Sequence, residues 1–412
     1  MHNIRSGKIN HCQICGNRHI KTVLNLGSQP LADDLRSIYK RVTKTFYYPI
    51  LIGFCNKCIL LQNNLIVDEK KLYKKSYHYR PGITSDVLKN FKFMSNKLKG
   101  LYNLNSSSVV VDIGCNDGSL LNEFKKNKIK NIVGIDPTDT IKIAKKNGAM
   151  TIQSFMNIQT SRKALKFFGK ADLITTTNVF AHTNRLGDFI LGVKDLIKDN
   201  GIFVIENHYL KDVVEKKQFD TFYHEHLRTY SLKSLVKLMK MYGFKVIDAY
   251  TSDRYGGNIQ AHFSLKIKKK SNRVKLILDK EKMLSLHKNK TYFKFQSQID
   301  EIKEKLAKYL DDNKHKKIIG KAFPARASIL LHYFSSIKKH IRYIAEQPTS
   351  LKLNKYAPGT NIKIISSKVL QKDKPDIIII LAWHLFDKIK NKWKSKLKKT
   401  KFLKILPKLK VY

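Results

Sequence analysis

The sequence predicts an α/β protein in three parts: a small cysteine-bearing N-terminal subdomain, a central doubly wound and largely parallel sheet, and a second, smaller α/β domain. Three observations carry this. Four of the five cysteines fall before Leu72, in a stretch with little regular periodicity. Between residues 109 and 267 short apolar runs alternate with segments of helical spacing, and the same alternation returns after residue 318. We place the parts at residues 1–72, 73–270 and 271–412.

In the central part, strands are expected at 109–113, 132–135, 172–177, 201–206, 245–250 and 259–267, and helices at 120–126, 186–196 and 232–241. The charged stretch 272–313 reads as helix, with Ile299, Ile302, Leu306 and Leu310 at helical spacing. Strands are then expected at 318–320, 341–345, 362–365 and 377–381. The tail 388–410 alternates Lys with Ile, Leu, Trp and Phe, and reads as a basic helix covering the domain's own surface rather than touching lipid.

With 42% hydrophobic and 27% charged residues in 412, the chain has enough apolar material for substantial cores. Its net charge of +48 raises nucleic acid as a partner. Yet Lys is scattered through almost every segment beside abundant Ile and Asn, so the charge reads as solvated surface without a specific nucleic-acid face. Such a field still attracts anionic substrates. The first ten residues contain no apolar stretch of signal-peptide length, and no window approaches the roughly 18 apolar residues of a membrane span. The expectation is a cytoplasmic monomer with no transmembrane segment.

Cys12-Gln-Ile-Cys15 and Cys55-Asn-Lys-Cys58 are two C-x-x-C knuckles 39 residues apart (55 − 15 − 1). Four thiolates match the tetrahedral preference of Zn2+ and leave no open coordination position, so the expected site is structural. A reducing cytosol disfavours the disulfide alternative. His11 and His19 are read as bystanders.

Val109-Val-Val-Asp-Ile-Gly-Cys-Asn-Asp-Gly118 is an apolar strand running into a tight loop ahead of a helix. The next strand ends in Asp136, about 20 residues beyond the loop, where a carboxylate can accept hydrogen bonds from ribose hydroxyls. The loop is neither the G-x-G-x-x-G of a pyrophosphate cradle nor a P-loop, which favours S-adenosylmethionine over NAD or ATP. Asp112, Gly114, Asn116, Gly118 and Asp136 are the expected donor-binding set. Cys115 is read as a packing residue.

Two segments fall at strand ends on the same edge: Thr177-Asn-Val-Phe-Ala-His182 and Phe222-Tyr-His-Glu-His-Leu227. Methylating a carbon requires removal of a proton beside a carbonyl, for which histidine is the natural base near neutral pH, with an adjacent carboxylate to orient it. Tyr223, Glu225, His226 and His182 offer that set. The competing readings are a metal site of His208, His224, Glu225 and His226, or ordinary buried polar residues.

Taken together, the chain resembles the sugar C-methyltransferases that act on nucleotide-linked keto-deoxysugars. The resemblance rests on the two knuckles with Leu26-Gly-Ser-Gln-Pro-Leu-Ala32, the Asp-Ile-Gly-Cys-Asn-Asp-Gly loop, Asn178-Val-Phe-Ala-His182 and Tyr223-His-Glu-His226. It continues through Gly256-Gly257, Pro324-Ala325, Pro358-Gly-Thr360 and Leu381-Ala-Trp383. It implies a class I, Rossmann-like methyltransferase domain, His226 as the base, Tyr223, Glu225 and His182 around the keto-sugar, and Asn178 near the methionine part of the donor. Tyr77 or Tyr79 matches a further active-site tyrosine, the first as a catalytic group and the second as a substrate contact. The C-terminal domain is implied to hold the nucleotide, with Arg326 among its contacts. Three departures fall outside the methyl-transfer motifs: Gln260 where the family has arginine, Arg326 where it has lysine, and His384 where it has asparagine. An RNA methyltransferase is the alternative that charge and knuckles would fit, but Thr-Asn-Val-Phe matches neither the amine-methylating nor the cytosine-methylating signature. A non-catalytic scaffold is the other.

Overall fold

The computed structural model describes residues 6–40, 44–72, 80–83, 85–266 and 269–412. Seven strands form the central sheet: β1 (Val109–Ile113), β2 (Asn131–Ile135), β3 (Met150–Ile152), β4 (Ala171–Thr177), β5 (Ile197–His208), β6 (Lys245–Ser252) and β7 (Asn258–Ser264). Their spatial order is β6-β7-β5-β4-β1-β2-β3, and only β7 runs antiparallel to its neighbours. Every residue of β1 is buried, as a strand covered by helices on both faces must be. This is the doubly wound, Rossmann-like sheet expected from the alternating pattern.

The helices that cover it follow their apolar spacing. Leu186–Leu196 buries Leu186, Phe189, Ile190, Val193 and Leu196, each worth roughly 1.5–3 kcal/mol relative to exposure. Leu232–Lys240 begins at Ser231, whose side chain accepts the Ser234 N–H at 3.0 Å, the usual satisfaction of an orphan donor at a helix start. Strand β3 was not expected: it is a three-residue edge strand, half exposed, with no apolar run to betray it. Strand β5 starts four residues earlier than the pattern suggests, because Lys198, Asp199 and Asn200 carry no strand signal.

The N-terminal subdomain is a small antiparallel sheet of Lys21–Pro30, Tyr47–Cys55 and Leu60–Asn63. Its fourth strand, Arg228–Tyr230, comes from the methyltransferase part of the chain and pairs with Leu60–Asn63. The C-terminal sheet has a parallel core of Lys363–Ser366, Tyr343–Glu346, Ile318–Lys321, Ile377–Ile380 and Lys401–Lys404. At one edge Arg36–Ser37 reaches across to pair with Lys355–Tyr356. The charged stretch resolves into two helices, Asn272–Met283 and Asn289–Asp312. The second buries Tyr292, Phe295, Ile299, Ile302, Leu306 and Leu310 in a core shared with the C-terminal sheet and with Leu24, Leu26 and Ile52 of the N-terminal one.

The basic tail is a helix only over Phe386–Lys394. Beyond it the chain forms two short strands, with Phe402, Leu403, Ile405 and Leu406 fully buried, so its apolar residues cover the domain itself. No helix among the described residues is long and apolar enough to cross a membrane.

Candidate active site

The loop after β1 crosses the left-handed region at Gly114 (φ 74°), Asn116 (φ 51°) and Gly118 (φ 75°). A Cβ at Gly114 would lie 2.2 Å from the Val179 side chain, and one at Gly118 would lie 2.6 Å from Ala144. Both glycines are therefore required by conformation and by close packing. Asp117 accepts hydrogen bonds from the Ser119 N–H (3.1 Å) and hydroxyl (2.6 Å), holding the start of the helix Ser119–Lys126. Cys115 is 3% exposed and packs against Gly134, as a packing residue should.

Asp136, just past β2, accepts the Asn116 N–H at 2.9 Å on one oxygen and the Thr138 N–H (2.8 Å) and hydroxyl (2.5 Å) on the other. Three of its roughly four acceptor positions are taken by the protein, leaving about one for a ribose hydroxyl rather than two. Asp112 faces β4 instead of the loop opening: it is 2% exposed, accepts from the Thr175 hydroxyl at 2.7 Å, and burial pushes its carboxyl up to about 7. At the end of β4, Asn178 (φ 55°) donates its N–H to the Glu206 carbonyl at 2.7 Å, while among the described residues its buried side-chain NH2 has no hydrogen-bond partner. That orphaned donor beside the loop suits an acceptor group such as the carboxylate of a bound S-adenosylmethionine.

Three imidazoles meet beyond it. The ring of His182 stands edge-on to His226 at 4.8 Å, and His208, the last residue of β5, lies 5.0 Å from His226. His226 Nδ1 is 2.8 Å from the Thr221 carbonyl and Nε2 is 2.8 Å from the Tyr223 hydroxyl. A carbonyl only accepts, so Nδ1 carries the hydrogen and the Nε2 lone pair receives the tyrosine O–H. Burial holds His226 well below its ordinary 6.5, and His182 and His208 push the same way. The ring is therefore neutral, with its Nε2 lone pair on the Tyr223 hydroxyl.

The other half of the segment faces elsewhere. His224 Nε2 donates to the Tyr48 carbonyl at 3.1 Å, and Glu225 lies in the field of Asp33 and Lys352. Burial, reinforced by Asp33, drives the Glu225 carboxyl well above its usual value. The expectation that Glu225 orients the base thus gives way to the Thr221 carbonyl at that nitrogen. Among the described residues only the four cysteines form a metal-holding cluster, so His208, His224, Glu225 and His226 do not converge on an ion. Tyr77 and Tyr79 lie outside the described residues.

Cys12, Cys15, Cys55 and Cys58 place their sulfurs within 4.8 Å of one another, with Cys15 and Cys55 3.8 Å apart. Sulfurs about 2.3 Å from a central Zn2+ would sit about 3.8 Å apart in a tetrahedron, so the four fit the ion. Without a cation the thiols cannot all ionise: the hydrogen bond between Cys12 and Cys55 holds Cys55 down to about 2 and pushes Cys12 up to about 12.

This centre is tied to the histidines. Gln13, inside the first knuckle, accepts from Arg228 Nη1 at 2.5 Å, and Arg228 Nη2 donates to the Thr183 carbonyl beside His182. Asn63 donates from one side-chain nitrogen to the carbonyls of Tyr223 and His226, both at 3.1 Å. Neither Asn63 nor Arg228 stood out in the sequence, because nothing in their local pattern marks them.

From the opposite side, Asp220 accepts Arg326 Nε (2.8 Å) and Nη2 (2.7 Å) and Trp383 Nε1 (2.9 Å). Arg326 also donates to the Tyr255 carbonyl at 3.0 Å and to Gln218 Oε1 at 3.2 Å. Its guanidinium is committed to bracing the C-terminal domain against the turn before the histidines, which corrects its expected role as a substrate contact. Gln260 donates to one oxygen of Glu206 at 3.0 Å, and Arg254 pairs with the other at 2.7 Å. Tyr255, in the strained left-handed position before Gly256 (φ 52°), stacks near His208 and faces His384.

The sheet order, the loop and the orphaned donor beside it define a S-adenosylmethionine-dependent methyltransferase. Three family descriptions match the chain in succession: a putative zinc binding domain at residues 12–73, a methyltransferase domain at 82–249, and a C-methyltransferase C-terminal domain at 253–407. The chain is 26% identical over 383 residues to the C-methyltransferase NovU of Streptomyces niveus, covering 91% of this chain and 90% of the relative. Similar solved structures include a S-adenosylmethionine-dependent methyltransferase from Clostridium acetobutylicum ATCC 824 (15% identical, 44% of this chain and 92% of that chain, TM-score 0.35). Another is the magnesium protoporphyrin IX methyltransferase of Synechocystis PCC 6803 with bound SAH (16%, 43% and 82%, TM-score 0.34). The protein is a S-adenosylmethionine-dependent C-methyltransferase with an N-terminal zinc-binding domain.

Proposed function

We propose that the chain methylates the carbon beside the keto group of a nucleotide-linked deoxysugar, with His226 removing the proton from that carbon. The observation that carries this reading is the tautomer of His226: its Nδ1–H is held by a carbonyl and its Nε2 lone pair is presented to the site through Tyr223. A neutral buried imidazole so fixed takes a proton at Nε2 and returns it to solvent later, without needing a carboxylate partner. His182 and Tyr223 border the same space and would position the sugar. Bound S-adenosylmethionine supplies the electrophilic methyl group. The motifs shared with the nucleotide-sugar C-methyltransferases support the substrate class, and the C-terminal α/β domain is the natural holder of the nucleotide. Five free cysteines suit the reducing cytoplasm.

The test is exchange without transfer. A nucleotide-linked keto-sugar in deuterated water with S-adenosylhomocysteine should gain deuterium next to the keto group. His226→Asn should retain donor binding and lose exchange and methylation by about 10²-fold or more. Near-normal turnover in that variant would remove His226 as the base.

A further inference from the structure

We propose that His208 is a second catalytic residue: its imidazole N–H donates a hydrogen bond to the substrate's keto oxygen and stabilises the enolate as His226 takes the proton. The inference rests on the keto-sugar reading and adds a residue to it.

Several other histidines hold side-chain hydrogen bonds. His224 donates to the Tyr48 carbonyl, His226 is fixed between Thr221 and Tyr223, His332 is held by the Pro358 carbonyl, and His262 lies between Gln260 and Tyr102. His208 differs. Its ring meets His226 at 5.0 Å and stacks near Tyr255 at 6.0 Å, with a 26° tilt. Among the described residues neither of its nitrogens makes a hydrogen bond, although Glu206, Asn207 and Tyr209 around it are buried. The ring itself is half-buried, which leaves those nitrogens open to a ligand.

The position says which ligand atom that is. His208 closes β5, beside the strand whose end carries Asn178, with its ring 5.0 Å from that of His226. With the ring centroids 5.0 Å apart, the two histidines are close enough for one to reach the keto oxygen while the other serves the carbon next to it. Tyr223, the nearest alternative donor, already gives its hydroxyl hydrogen to His226. Burial, with Arg326, His182, Arg254 and His384 around it, holds His208 well below 6.5. It therefore acts as a neutral donor, polarising the carbonyl without giving up its proton.

The step balances within these residues. The C–H bond breaks and its proton goes to the Tyr223 oxygen as the tyrosine hydroxyl passes its own hydrogen to His226 Nε2. The electron pair enters the carbon–carbon bond while the carbonyl π pair moves onto oxygen, where the His208 N–H receives the growing charge. The reverse step returns a proton from His226 to carbon through the Tyr223 hydroxyl.

The experiment uses the full chain with zinc, thymidine diphosphate-4-keto-6-deoxyglucose as the probe, and S-adenosylhomocysteine in deuterated water. His208→Ala should slow deuterium uptake by about 10²-fold, the usual cost of losing one oxyanion donor, and His208→Gln, which restores an N–H, should recover at least about tenfold of that loss. A merely structural role predicts no such recovery, since glutamine packs no more like an imidazole than alanine stacks on Tyr255. Melting temperature and S-adenosylhomocysteine affinity should match the wild type. Exchange in His208→Ala within about threefold of wild type, while His226→Asn is inactive, would overturn this inference and leave the base assignment standing. Wild-type protein inert toward the probe would overturn the keto-sugar reading and this inference with it.

Discussion

Asp220 is where the C-terminal domain is fastened to the turn that carries the proposed base, and its removal should be among the most damaging single changes. The carboxylate is fully buried and accepts three hydrogen bonds, two from Arg326 and one from Trp383. Asp220→Ala leaves the guanidinium, whose side chain is 8% exposed, without its counter-charge, which costs about 3–5 kcal/mol. The Trp383 N–H loses its acceptor too, worth about 1–3 kcal/mol alone, but both losses spring from one carboxylate and do not add in full. We expect about 4 kcal/mol in total, and about half that for Asp220→Asn, which keeps one acceptor oxygen. Both tryptophans, Trp383 and Trp393, lie in the C-terminal domain, so urea unfolding followed by tryptophan fluorescence reports on it directly. The double variant Asp220→Ala with Arg326→Met should be more stable than Asp220→Ala alone, because no unpaired ion remains. Because Thr221 holds His226 Nδ1, loosening residue 220 should also lower kcat. A loss below about 1 kcal/mol for Asp220→Ala, or a double variant that loses the sum of the two singles, would refute the reasoning.

Elemental analysis should find one zinc per chain, and Cys12→Ser should impair folding more than chemistry; a metal-free, fully active protein would contradict the four-sulfur geometry. Asn63→Ala removes both hydrogen bonds that hold the Tyr223–His226 turn, so kcat should fall about tenfold with zinc content unchanged, and an unaltered kcat would deny it a positioning role. Because His226 is held below 6.5, its neutral, basic form persists as pH falls, so the acid limb of the exchange rate should lie well under pH 6.5. A limb centred at pH 6.5 to 7 would show that the ring titrates as an ordinary histidine.

The strands at the centre of the chain were legible because their signal is local. Val109–Ile113 is apolar but for Asp112, and Ile377–Ile380 is isoleucine throughout, a pattern that suits a sheet covered on both faces. The edge strand Met150–Ile152 has no such signature, since half-exposed residues obey no apolar pattern. The cysteine knuckles were equally readable, because the ligand type and the two-residue spacing of each pair are chemical requirements of the ion.

Sequence by itself marked the candidate donor loop, the four clustered cysteines and the residue types available for proton transfer. Tertiary structure alone decided which of those residues face one another. The Tyr223–His226 turn has no helical or strand period, so nothing in its spacing said that Tyr223 and His226 would turn to the site while His224 and Glu225 turned toward Tyr48 and Asp33. Likewise Arg326 carried the chemistry of a phosphate contact, yet Asp220, 106 residues away in sequence, holds it as an internal brace. Arg228 reaches Gln13 across 215 residues to join the zinc knuckle to the histidines. Such partnerships depend on which surfaces the folded domains bring together, and side-chain chemistry read along a chain holds no record of that distance in space.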